Sequence, residues 1–75
     1  MELSKQAQYV FEDCQKLAAL YDGVDLSHDA HGIFRYAQDA NKLLTLRHDC
    51  HPLAVRMAGK LIDRQIECWR AAQAV

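Results

Sequence analysis

Apolar residues in this chain return at the spacing of a helix and of no other element. Leu3, Ala7, Val10, Cys14, Leu17 and Tyr21 follow one another at alternating steps of four and three, with Phe11 and Ala18 alongside. Ala30, Ile33, Phe34, Ala37, Ala40, Leu43 and Leu44 repeat the pattern, and Val55, Ala58, Leu61, Ile62, Ile66, Cys68 and Trp69 repeat it again. Each run paints one stripe on a helix, and the period-two alternation of a strand is absent. The punctuation agrees. Ser4 suits an N-cap, Gly23 suits the left-handed residue after a helix, and Ser27 or Asp25 can cap the second run. Pro52 belongs in a first turn, where its missing N–H costs nothing. These signals predict helices over about 4–22, 27–48 and 52–73, each about 28–33 Å long. Short connections force consecutive helices to run antiparallel. The expected fold is all-α: a small three-helix up-down-up bundle forming a single helical domain over residues 1–75.

A bundle of 75 residues has a narrow margin of stability. A domain of this size buries only about 60% of the surface its unfolded chain exposes. Apolar residues make up 51% of the chain, but eleven are alanines that add little core volume. The apolar arcs are nevertheless wide: about 120° on the first helix and about 180° on the second and third. Tyr9 and Leu20 lie off the first helix's stripe, and Tyr36, Leu43 and Leu46 are hard to place inside so small a core. Large apolar groups at an edge are what a protein-binding surface presents. The reading is that Tyr9, Leu20, Tyr36, Leu43 and Leu46 contact a partner, while Ile62, Ile66 and Trp69 form a self-association seam that completes the bundle by dimerisation. Asn41 and Gln65 fall within the apolar arcs, where a polar residue can fix register.

Two fragments, SHDAHGI (27–33) and RHDCHPL (47–53), hold all four histidines. On a continuous second helix, His28 and His48 would lie about 30 Å apart. Zinc needs its nitrogen ligands at about 2.0–2.1 Å, so the four cannot meet within one chain, although an antiparallel dimer could join the pairs. The simpler reading treats each residue separately. His48 ends a helix, His51 takes the extended conformation that precedes proline, and Asp29 and Asp49 favour helix starts. Cys50 between two histidines has the residue types of an activated thiol, yet three short helices rarely enclose a pocket. Cys14 and Cys68 lie on apolar arcs and read as small core residues. No phosphate loop or carboxylate pair is present. The chain is expected to be non-enzymatic and to carry no cofactor or metal.

Charge narrows the partner. Nine basic and ten acidic residues give a net −1 with no block of one sign. Arg56, Lys60 and Arg64 are spaced four apart on the third helix, which raises a helix-turn-helix reading. Asp63 and Glu67 interrupt that face and would oppose phosphates, and the pI of about 6.4 is low for such a module. Intrahelical pairs such as Lys60 with Asp63 are expected there instead. No apolar run reaches the roughly 18 residues of a membrane span. Three cysteines in no framework spacing suit a reducing compartment, and no secretion signal is visible, so a cytoplasmic location is expected. The function expected is that of a small regulatory protein that binds another protein through hydrophobic helix faces. It would act as an inhibitor, anti-activator or adaptor, of the kind phages and mobile elements encode. A DNA-binding regulator and a His/Cys metal-binding protein are the alternatives.

Overall fold

A computed structural model of the chain describes residues 4–74. It contains α1 (Lys5–Leu20), α2 (Ala30–Ala40) and α3 (Pro52–Gln73), with α2 continued by a π-helical segment over Asn41–Leu46. No strand occurs among the described residues, and the fold is the expected small all-α bundle. Leu3, the first residue of the α1 stripe, lies outside the described residues.

Local chemistry sets the helix ends. Ser4 Oγ accepts from the Ala7 N–H at 3.1 Å and caps α1, and Gly23 takes the left-handed conformation with φ of 74°. The second helix starts later than the expected residue 27. Asp25 Oδ1 accepts from both the N–H and the O–H of Ser27, at 3.0 and 2.7 Å, and this local turn competes with helix formation. Asp29 caps instead, its Oδ1 accepting from the Gly32 N–H at 2.8 Å. Gly32 is needed at that cap. A Cβ there would lie 2.5 Å from Asp29 Oδ2 and 2.6 Å from Leu26 Cδ2. At α3, His51 is extended before Pro52 as expected, and its Nδ1 accepts from the Leu53 N–H at 3.2 Å. Asp49 does not help start α3. Asp49 and Cys50 both have positive φ, 52° and 59°, and turn the chain between helices.

The core is narrow and rich in alanine. Val10, Leu44, Ala54 and Ala58 form one buried cluster, and Leu17, Leu26, Tyr36 and Ala40 form the other, with Leu61 packed against both. Ala54 and Ala58 of α3 sit with Val10 and Leu44, and Ala40 sits with Leu17 and Tyr36, but these alanines fill little volume. The radius of gyration is 13.2 Å, with extents of 43 × 24 × 21 Å. A compact chain of this length would have a radius of about 11 Å. The bundle is therefore elongated and leaves much helix surface without cover.

The π segment positions the site. Its i→i+5 hydrogen bonds widen the turn, so each residue advances the helix by less rotation. Ala40, Leu44 and His48, four apart in sequence, all stay on the inward side: Ala40 and Leu44 are fully buried, and the His48 side chain is 7% exposed.

Candidate functional site

The most structured polar group in the molecule joins α1 to the end of the second helix. His48 Nε2 lies 2.6 Å from Asp13 Oδ2, and His48 Nδ1 lies 3.0 Å from Gln6 Nε2. With Nε2–H donating to the carboxylate, Nδ1 accepts from the Gln6 amide, and both ring nitrogens are engaged. Asp13 is buried, and two half-exposed cations also reach it, Arg47 through Nε at 3.3 Å and Lys16 through Nζ at 3.4 Å. The carboxylate thus receives three donors, which is how a buried charge is tolerated. Above it opens a shallow cavity of about 350 Å³ whose wall includes Gln6, Tyr9, Glu12 and Asp49. Burial, and next the charge of Asp13, push up the neighbouring Cys14 thiol, which makes it a poor nucleophile.

Nothing in this cluster was anticipated from the histidine repeat. His48 was expected as a helix-ending cation, but it is a buried strut. A signal did exist. Asp13 stands three residues after Val10 and four before Leu17, on the inward phase of α1, and His48 stands four after Leu44. A carboxylate and an imidazole at two core phases need a partner, and each is the other's. The remaining histidines do not join them: His28 and His31 are exposed, and His51 serves as a cap. Among the described residues no group of three or more His, Cys, Asp or Glu side chains could hold a metal ion.

The residues expected at a partner surface divide into two sets. Tyr9, Leu20 and Leu46 are exposed, by 54%, 62% and 64%. Tyr36 is a correction. It is only 5% exposed, and its ring meets Tyr21 edge to face at 5.0 Å. The wheel angle that set it apart from the stripe faces α1, where it closes the second core cluster. Leu43 is corrected in the same way, being half-buried against that cluster. Of the expected seam, Ile62 packs on the same cluster, whereas Ile66 and Trp69 line a shallow groove of about 190 Å³ with Ala30, Ile33 and Arg70. Asn41 is exposed rather than within an apolar seam.

Periodicity missed four large apolar residues that stand in solvent: Phe11 at 37%, Val24 at 51%, Phe34 at 62% and Val55 at 44% exposed. Phe11, Phe34 and Val55 belong to the expected core stripes, as does Cys68, which is exposed as well. The intrahelical ion pairs expected on α3 do not form either. Arg56, Lys60, Arg64 and Arg70 make no ion pair among the described residues.

A second groove, of about 500 Å³, runs between the end of α1 and the start of α2. Leu20, Tyr21, Val24, Leu26 and Gly32 supply its apolar lining, and Asp29, Arg35, Gln38 and Asp39 its polar rim. Asp39 Oδ2 accepts from the Tyr21 hydroxyl at 2.6 Å. Burial and that bond push the Tyr21 phenol up to about 12. No helix among the described residues is long and apolar enough to cross a membrane. Comparison with protein-family models, with curated proteins and with solved structures finds no match to this chain.

Proposed function

We propose that this chain is a small non-enzymatic regulatory protein that works by binding another protein through apolar helix surfaces, as an inhibitor, anti-activator or adaptor. One observation carries the reading. Tyr9, Leu20, Val24, Phe34, Leu46 and Val55 stand 44–64% exposed, while three of the eight buried apolar residues are alanines. Large apolar groups left in water are costly, and where they gather in one patch they mark an interaction site. The polar cluster around His48 is compatible with the same reading, because its hydrogen bonds tie α1 to the end of the second helix. Aromatic groups such as Phe34 and Tyr9 are the expected anchors of such an interface.

The test is affinity capture from the native host, combined with light scattering on the isolated chain. Wild type should retain a defined partner or pair with itself. Leu20→Asp, Phe34→Asp or Leu46→Asp should abolish at least one such contact with helical circular dichroism unchanged. A chain that stays monomeric at about millimolar concentration, and captures nothing that these variants lose, would overturn the reading.

One observation favours a second reading, nucleic-acid binding: the four cations of α3 carry no ion pair among the described residues. Asp63 and Glu67 on the same helix weigh against it. Duplex DNA retained in a strongly salt-dependent manner would favour this second reading over the first.

A further inference from the structure

Charge is unevenly placed along the chain. Between Leu20 and Asp39 it carries Asp22, Asp25, Asp29 and Asp39 against Arg35 alone, a net −3, while the rest of the chain sums to +2. Asp29 and Asp39 line an apolar groove, and Asp22 and Asp25 flank its lining residues Tyr21, Val24 and Leu26 in sequence. Leu20 and Val24 stand more than half exposed on its α1 side, and Leu26 and Gly32 form part of its lining. The local cation is already engaged, since Arg35 Nη2 lies 3.9 Å from Asp29 Oδ2. Asp25 is held below the usual carboxylate range by the two Ser27 hydrogen bonds, so its charge persists. No side chain of α3 lines the groove.

We propose that this groove is the docking site for a basic amphipathic helix of another protein. One or two aliphatic side chains of the incoming helix would pack on Leu20, Val24 and Leu26, and its flanking lysines or arginines would meet Asp22, Asp25 and Asp39. The cleft lies between the end of α1 and the start of α2, and a third rod laid there extends the bundle as helix-in-groove recognition does. At about 500 Å³ it holds branched aliphatic side chains with room to spare. The acid rim selects the sign of the partner and speeds encounter, while the apolar lining supplies the affinity. A partner helix bearing acids would meet like charge and be rejected. This docking site rests on the binding role proposed above and deepens it by naming the partner's chemistry.

The test uses the full chain and two labelled peptides of about 14 residues, long enough for about four helical turns. One carries leucines on one face and lysines on the other; its counterpart replaces every lysine with glutamate. Fluorescence anisotropy should show the lysine peptide binding at least about tenfold more tightly than the glutamate peptide. Leu20→Ser with Val24→Ser should weaken it by about tenfold or more, and Phe34→Ser should leave it unchanged. Asp22→Asn with Asp25→Asn, which keeps the shape of the turn, should weaken it about threefold and flatten its salt dependence. Equal binding of both peptides, no saturable binding, or indifference to both groove variants would overturn the proposal. A host partner lost with Phe34→Ser but kept by the groove variants would leave the binding role standing and remove this site.

Discussion

The imidazole of His48 closes on the carboxylate of Asp13 at 2.6 Å, across 35 residues of sequence. The contact fixes the end of the π segment against the middle of α1, between two helices joined elsewhere mainly by apolar packing. A hydrogen bond to a buried charge contributes about 1.5–3 kcal/mol, and stranding one partner costs at least as much. His48→Ala leaves the Asp13 carboxylate buried with only two half-exposed cations, and Asp13→Ala leaves the imidazole with Gln6 alone. Each should lower unfolding free energy by about 2–3 kcal/mol in urea titrations. The double variant should be about 1.5–3 kcal/mol less destabilised than the two single effects added together. Strict additivity would mean that the pair carries no coupling.

The helices were legible because their periodicity repeats over many residues, so no single misplaced side chain could hide it. The Ser4 cap and the place of Pro52 in the first turn of α3 were legible for local reasons. The start of α2 was not, because the Asp25–Ser27 turn and the Asp29 cap offer the same residue types within four positions. The π segment has no compositional signature at Asn41–Leu46. It keeps residues four apart after Ala40 on the inward side, whereas His48 read as a helix-end cation because it stands at the end of the expected second helix. A helical wheel also cannot tell the side facing a neighbouring helix from the side facing solvent. Tyr36 and Phe34 were consequently exchanged: the residue expected at the surface is 5% exposed, and the one expected in the stripe is 62% exposed.

That exchange makes a direct prediction. Tyr36→Asp should collapse helicity rather than merely block a partner, because it places a carboxylate inside the Leu17–Ala40 cluster. Phe34→Asp should leave circular dichroism and the urea midpoint nearly unchanged, within about 0.5 kcal/mol, as for other exposed sites. Retained helicity in Tyr36→Asp would place that ring at the surface after all.

Two glycines in helices should respond oppositely to the same change. A Cβ at Gly59 meets nothing within 4 Å, so Gly59→Ala should stabilise α3 by up to about 1 kcal/mol through lower backbone entropy in the unfolded chain. At Gly32 the added carbon would press on the Asp29 cap and on Leu26, and Gly32→Ala should cost about 1–3 kcal/mol. Thermal melts of the two variants should move to either side of wild type. A shift of both in the same direction would contradict the packing at one of the sites.

The Tyr21 phenol ties stability to high pH. Burial first, and then the hydrogen bond to Asp39, raise it from 10.0 in an ordinary environment to about 12 in the fold. Below the unfolded value the phenol is protonated in both states, and its contribution is complete. Between about 10 and about 12 the unfolded chain releases the proton while the folded chain retains it, so stability falls as pH rises through that window. Ultraviolet titration of the folded chain should show a phenol ionising late, well after an unfolded control. Asp39→Asn removes the charged acceptor but not the burial, so Tyr21 should then ionise earlier than in wild type yet still above its ordinary value. An unchanged titration in Asp39→Asn would leave burial as the sole cause, whereas phenols all ionising together near 10 would show that the Tyr21–Asp39 bond does not form in solution.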